Sequence, residues 1–162
     1  MSERKISFAP VVDARTRLLV LGSLPGEESL ARARYYANPR NQFWTLIGSA
    51  IGRDLQPLDY EARLEALLAA GVGLWDTVAS ATRAGSLDGA IRDHAANDVA
   101  ALAATLAHLN AIAFNGGKSA AMGLRLMAGS RYDLVPLPSS SPAYTLALAD
   151  KQKAWAKLRE YL

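Results

Sequence analysis

The sequence predicts an α/β fold built on a mostly parallel sheet, and three observations carry that reading. Short apolar runs alternate with longer stretches whose apolar residues recur at helical spacing. Four of the runs are separated by helical stretches, so they need crossover connections; right-handed crossovers cover both faces of a parallel sheet. A chain of 162 residues, 51% of them hydrophobic, can bury such a core within one domain spanning 1–162.

The run Leu18, Leu19, Val20, Leu21 reads as the first buried strand, ending at Gly22 and leading into a loop with Pro25 and Gly26. Phe43, Leu46, Ile47, Ala50 and Ile51 share a helical face, and Gly52 is placed to end that helix in a left-handed conformation. Asp59 is expected to cap the next helix, whose stripe is Leu64, Leu67 and Leu68, with Gly71 closing it before a second strand, Val72 to Trp75. Asn97 is read as a cap leading Val99, Leu102, Leu106 and Leu109 along one face, and Ala111 to Phe114 as the third strand. Gly116 and Gly117 turn the chain into a helix around Ala120 to Met127. Leu134 to Leu137 is the fourth strand, and Thr145 is expected to start a final helix carrying Leu148, Trp155, Leu158 and Leu162. Ligands of such sheets bind beyond the carboxyl ends of the strands, so the loops after Leu21, Trp75, Phe114 and Leu137 are the ones to examine.

Composition narrows the chemistry. Cysteine is absent, which excludes disulfides, thiolate metal sites, iron–sulfur clusters and a cysteine nucleophile. The first ten residues, MSERKISFAP, lack the apolar core of a signal peptide, and no run of eighteen apolar residues occurs; a soluble, cytoplasmic protein without a membrane partner is expected. A net charge of +3 is compatible with a polyanionic partner, and equally with none.

Two segments concentrate groups suited to a flat polar ligand. Gly22-Ser23-Leu24-Pro25-Gly26 combines glycines that let backbone approach a ligand with a proline that stiffens the loop, although a plain structural turn would look the same. Tyr35-Tyr36-Ala37-Asn38-Pro39-Arg40-Asn41-Gln42-Phe43-Trp44 packs four aromatics, two asparagines and an arginine into ten residues, a mixture fit to stack a base and hydrogen-bond its edge. Phe43 and Trp44 are explained as core anchors; Tyr36, Asn38 and Asn41 are not.

With these two segments, Gly71-Val-Gly-Leu-Trp-Asp-Thr-Val78, Ser86-Leu-Asp-Gly89, Asn97-Asp98, Phe114-Asn-Gly-Gly-Lys-Ser119 and Leu137-Pro-Ser-Ser-Ser-Pro-Ala143 closely resemble the uracil-DNA glycosylase superfamily. The likeness is greatest to its hypoxanthine-DNA glycosylase branch, the DNA-deoxyinosine glycosylases of family 6, and spans nearly the whole chain. It implies a three-layer α/β/α sandwich on a four-stranded parallel sheet, double- or single-stranded DNA with a deaminated base as partner, and excision of that base, hypoxanthine or uracil, to leave an abasic site with neither metal nor cofactor; a monomer of bacterial or archaeal type at the nucleoid is expected.

The resemblance also implies roles. The first loop would meet sugar and base through Gly22, Ser23 and Leu24, with Pro25 toward the DNA. Leu24 stands where mismatch-specific relatives carry a water-activating asparagine, so that task passes to Asn41, with Asn38 as second candidate. Tyr36 matches the stacking position. Asp76 matches a base-reading asparagine, though a carboxylate at a strand end equally often caps a turn. Ser139, Ser140 and Ser141 match the loop that pinches the DNA backbone, with Leu137 where a histidine or asparagine is usual and Ser141 where a wedging leucine is usual. Arg40 and Lys118 are expected at phosphates.

Other readings fit less well. Gly117-Lys118-Ser119 lacks the glycine that a phosphate-binding P-loop needs five residues before Gly117, where Ile112 stands. No Gly-x-Ser-x-Gly elbow occurs, and His94 and His108 have no neighbours at metal-ligand spacing. The alternative from another class is a non-catalytic binder of damaged DNA that keeps this fold, motivated by the apolar Leu24 and Leu137.

Overall fold

The computed structural model describes residues 3–162. In chain order the elements are β1 (Arg4–Ile6), β2 (Leu18–Gly22), α1 (Glu27–Arg32), α2 (Phe43–Ile51), α3 (Tyr60–Ala69), β3 (Val72–Asp76), β4 (Val78–Thr82), a 3-10 turn (Asp88–Ala90), β5 (Arg92–Ala96), α4 (Val99–Thr105), β6 (Ala111–Asn115), α5 (Gly117–Leu126), β7 (Asp133–Leu137), α6 (Leu148–Trp155) and a closing 3-10 turn (Ala156–Tyr161). Strands β3, β2, β6 and β7 lie side by side in that order, all parallel.

Alternation along the strands divides the core into two slabs, which makes the sandwich three-layered. Leu18 and Val20 face one way with Val72, Leu74, Ala111 and Ala113, against Phe43, Leu46 and Ile47 of α2, Leu67 of α3 and Trp155 of α6. Leu19 and Leu21 face the other way with Ile112 and Phe114, against Val99 and Ala103 of α4 and Ala120 of α5. Each fully buried side chain of this kind contributes roughly 1.5–3 kcal/mol. The α5 helix lies so close to β6 that a Cβ at Gly123 would fall 2.1 Å from the Phe114 ring. Gly123→Ala would therefore push the helix off the sheet.

The helix ends follow local chemistry. Gly52 adopts φ +74° and closes α2, and Asp59 caps α3 by accepting from Ala62 N–H at 2.8 Å, both as expected. Three expectations at helix starts are corrected. Asp98, not Asn97, caps α4, because its carboxylate reaches Ala101 N–H, while the Asn97 amide donates to the Asp76 carbonyl. The α5 helix begins at Gly117, directly after Gly116 turns the chain at φ +100°. The α6 helix begins at Leu148 rather than Thr145, since the first helical amides, of Asp150 and Lys151, bond to the Ala147 carbonyl.

A second sheet, antiparallel in the order β1-β4-β5, was not expected from the sequence. Its strands β4 and β5 lie in the chain between β3 and α4, β1 joins them from the start of the chain, and the β4–β5 connection carries the Ser86–Asp88 segment to the carboxyl edge of the main sheet. Among the described residues no helix is long and apolar enough to cross a membrane.

Candidate active site

The main sheet ends at one edge in a cavity of about 470 Å³, within the range of small-ligand sites. Every strand of the sheet feeds it: Gly22 to Gly26 after β2, Asp76 at the end of β3, Asn115, Gly117 and Lys118 after β6, and Ser139 to Ser141 after β7. Tyr36, Asn38 and Asn41 close one side, and Ser86, Leu87 and Asp88 another. All the site residues expected from sequence line this cavity except Arg40, which is exposed outside it.

The first loop is held by the second sheet. Leu24, 6% exposed, is anchored in an apolar cluster with Val78, Ala81, Ile91 and Met122, so this position serves packing. Buried Arg83 donates to the carbonyls of Leu24 (3.3 Å) and Pro25, and to Gly85 (2.9 Å). The Ser23 hydroxyl donates to the Asp88 carboxylate, and the Ser86 hydroxyl accepts from Glu27 N–H.

The opposite wall is set by the turn into α2. Tyr36 has φ +54°, a conformation uncommon for a side-chain-bearing residue. Its carbonyl accepts from Trp44 Nε1 at 3.1 Å, and its ring stacks on Phe43 with centroids 3.9 Å apart. Its hydroxyl accepts from Asn115 Nδ2 at 3.3 Å. The asparagines that follow are oriented by the backbone: Asn38 Oδ1 accepts from Arg40 N–H at 2.9 Å and Asn41 Oδ1 from Phe43 N–H at 3.0 Å. An amide that accepts through oxygen leaves its NH₂ for other partners. Both amides line the cavity.

Asp76 is the least satisfied group. It is 4% exposed, and its Oδ2 has no hydrogen-bond partner among the described residues. Burial first, and then the Asp88 charge, push its carboxyl up to about 7, against a smaller lowering by Arg83. Gly22 pairs with Asp76 across β2 and β3, and a Cβ at Gly22 would fall 2.6 Å from Asp76 Oδ1 and 3.2 Å from the Tyr36 hydroxyl. The carboxylate and the phenol thus converge on the space the glycine leaves. Burial also drives the Tyr36 phenol well above its ordinary range, with Asp76 adding to the effect, so it stays neutral.

The serine loop is tied to β6 and α2. Asn115 Oδ1 accepts from Ser140 N–H at 2.9 Å while its Nδ2 donates to Ser140 Oγ at 2.8 Å. Gln42 N–H donates to the Ser140 carbonyl at 2.9 Å. Ser139 and Ser141 hydroxyls accept from Ser141 and Ala143 N–H, stiffening the turn. Leu137 is buried beneath it, and Lys118 stands half-buried at the start of α5.

Sequence reasoning quoted Asn115 and Asp88 within motifs without giving them roles, and it missed Arg83. Asn115 had a usable signal, being the first polar residue after a buried strand. Arg83 had none, since nothing local separates a buried arginine from a surface one.

The strand ends of a parallel α/β/α sandwich converge here on an amide- and carboxylate-lined cavity beside an aromatic, and the class of protein is DNA N-glycosylase. The family model described as the uracil DNA glycosylase superfamily matches residues 9–160, and the chain belongs to that superfamily. It is 40% identical over 154 residues to a protein of Methanosarcina barkeri named hypoxanthine DNA glycosylase, covering 95% of this chain and 97% of the relative. It is likewise 40% identical over 151 residues to a protein of the same name from Methanosarcina acetivorans, covering 93% and 95%. A solution NMR structure from Methanosarcina acetivorans, described as a candidate uracil DNA glycosylase, superposes with a TM-score of 0.86 at 38% identity, covering 98% of this chain and 99% of that one.

Proposed function

We propose that the protein removes hypoxanthine, and uracil, from DNA by hydrolysis of the N-glycosidic bond, leaving an abasic site. The observation that carries this reading is the convergence of the Asp76 carboxylate and the Tyr36 hydroxyl on the space above Gly22. Flipping a nucleotide out of the duplex costs a few kcal/mol and is cheapest at a damaged or mispaired base. The extruded base lies against the ring face of Tyr36 that Phe43 leaves free. Ionised Asp76 accepts the N1–H of hypoxanthine, or the corresponding N3–H of uracil, through Oδ1, the oxygen on the side of Gly22 and Tyr36.

Asn41 then orients a water at the sugar carbon, with Asn38 beside it. The glycosidic bond breaks with its electron pair leaving on the base; the water oxygen bonds C1′, and its proton passes to solvent or to the departing base. No strong base stands at Leu24, so the acceleration rests on positioning and electrostatics. Pro25, Lys118 and Ser139 to Ser141 line the cavity and Arg40 is exposed outside it; in this reading phosphates of single- or double-stranded DNA pass along these residues. In this reading the protein acts as a monomer, one glycosylase domain over 1–162, in the cytoplasm at the nucleoid.

The test is an excess of protein over duplexes carrying hypoxanthine, uracil or xanthine, followed by alkali. Cleavable abasic product from the hypoxanthine duplex is expected. Retention of the lesion duplex with no product would instead mark a damage-binding domain, the reading that apolar Leu24 and Leu137 favour.

A further inference from the structure

We propose that Lys151 is a positioning residue for base excision, its ammonium locking the serine loop against the start of α2 and so fixing Asn41 relative to Ser140. Lys151 projects from α6 and is 1% exposed. Its Nζ donates to the Tyr144 carbonyl at 2.8 Å, to Gln42 Oε1 at 2.9 Å and to the Ser141 carbonyl at 3.3 Å. An ammonium has three N–H donors, and here each has its own acceptor. All three acceptors are neutral oxygens, and among the described residues no carboxylate lies within ion-pair distance.

A buried cation without a counter-ion is an expensive way to fasten a helix. Trp155 and Leu158, both fully buried, already fasten this end of the chain, and Trp155 Nε1 donates to the Pro138 carbonyl. What Lys151 adds is a cross-link between two walls of the cavity. Gln42 follows Asn41 directly, and it is held twice: its side chain by Lys151 and its N–H by the Ser140 carbonyl. Ser140 is in turn locked to Asn115, which reaches the Tyr36 hydroxyl. Lys151 therefore closes a chain of contacts running from Gln42, the neighbour of the candidate water-positioning asparagine, through Ser140 and Asn115 to the stacking tyrosine.

Burial pushes the Lys151 ammonium down from its ordinary range. Neither α2 nor the serine loop brings a carboxylate to it; Asp150 and Lys153 of its own helix are exposed, and the titratable group against it is the Tyr144 ring, 5.3 Å from Nζ. Deprotonation at alkaline pH would remove the donor of at least one contact and loosen the loop.

The inference rests on the excision reading, and its test keeps the two apart. Single-turnover excision of hypoxanthine by Lys151→Met is expected to fall on the order of 10²-fold, as for a small misplacement of reacting groups, with affinity for lesion duplex within about two-fold of wild type. Gln42→Glu gives the ammonium a counter-ion, and the alkaline limb of the excision profile is expected to move up by about one pH unit. Ionisation of the base itself is common to both proteins and cancels in the comparison. Hydrogen exchange at the Gln42 and Ser140 amides is expected to speed up in Lys151→Met whatever the substrate. Unchanged exchange in Lys151→Met, wild-type excision by that variant, or a Gln42→Glu profile that overlays the wild type would overturn the role of Lys151. A wild-type protein that excises no base would overturn the excision reading, and the exchange measurement would still decide the clamp.

Discussion

Gly22 and Asp76 are paired across adjacent parallel strands at the point where both strands end, and the space for a side chain at the first is occupied to within 2.6 Å by the carboxylate of the second. Asp76 is buried, so its carboxylate has little room to retreat. The glycine is thus a requirement of the pocket as well as of the loop. Gly22→Ala is expected to lose about 1–3 kcal/mol of stability, the usual cost of overfilling a packed site, and to lose hypoxanthine excision out of proportion to that loss. Thermal midpoint and single-turnover rate, measured on one preparation, check it; a variant with normal excision would show that base reading does not depend on the place of the Asp76 carboxylate.

Asp76 links the pocket to pH. Its carboxyl is raised from 3.8 to about 7 by burial and by Asp88. Between those values the folded protein binds a proton that the unfolded chain has released, so stability falls as pH rises across this window. The contribution is present below the unfolded value of 3.8 and is lost as pH passes about 7. Asp76→Asn removes the titrating group, and denaturant unfolding at pH 8 should find the variant more stable, by on the order of a few kcal/mol. Excision moves in the opposite direction: if the ionised carboxylate accepts N1–H, the wild-type rate rises through pH 7 and Asp76→Asn shows a flat profile there. A wild-type rate that falls across that range would remove Asp76 from base reading.

Asn41 has two separable jobs. Its oxygen accepts from Phe43 N–H at the start of α2, and its amide nitrogen lines the cavity without a partner among the described residues. Asn41→Ala removes both, with an expected cost of about 1 kcal/mol in stability and about 10²-fold in excision rate. Asn41→Ser keeps an oxygen able to cap the helix, and is expected to restore the stability and leave the rate low. Asn38→Ala is expected to be milder. Equal rates for wild type and Asn41→Ser would move the water-positioning role to Asn38.

The central strands were legible in the sequence because burial on both faces sets their pattern, and the helices because one apolar face recurs at helical spacing. Leu18, Leu19, Val20 and Leu21 are each 0% exposed, and a strand buried on both sides can be written only as a continuous apolar run. The second sheet was illegible for the opposite reason. Arg92–Ala96 is exposed throughout, β1 has three residues, and β4 pairs with β5 through register shifts, so no alternation reaches the sequence. The same division runs through the site. Tyr36, Asn38 and Asn41 stood out as polar and aromatic groups in excess of what a helix start needs. Arg83 acts through backbone carbonyls, and Lys151 through two carbonyls and the Gln42 amide oxygen over a hundred residues away; a carbonyl belongs to every residue and so distant a partner leaves no local pattern.

Arg83 offers the clearest separation of clamp from charge. Its guanidinium is buried, grips the Leu24, Pro25 and Gly85 carbonyls, and is the one influence that lowers the Asp76 carboxyl. Arg83→Met removes the grip and the charge together. It leaves three carbonyls short of a donor, at an expected cost on the order of 3 kcal/mol, and it lets the Asp76 carboxyl rise further. The acid limb of hypoxanthine excision should therefore move above the wild-type position near pH 7. Arg83→Lys keeps a cation but cannot reproduce the planar fork of donors. Its acid limb should stay near the wild-type value while the plateau rate drops, because the first loop is no longer held at both carbonyls. Profiles of the two variants measured side by side decide the matter: a limb that shifts equally in both would mean that the loop geometry, and not the Arg83 charge, sets the ionisation of Asp76.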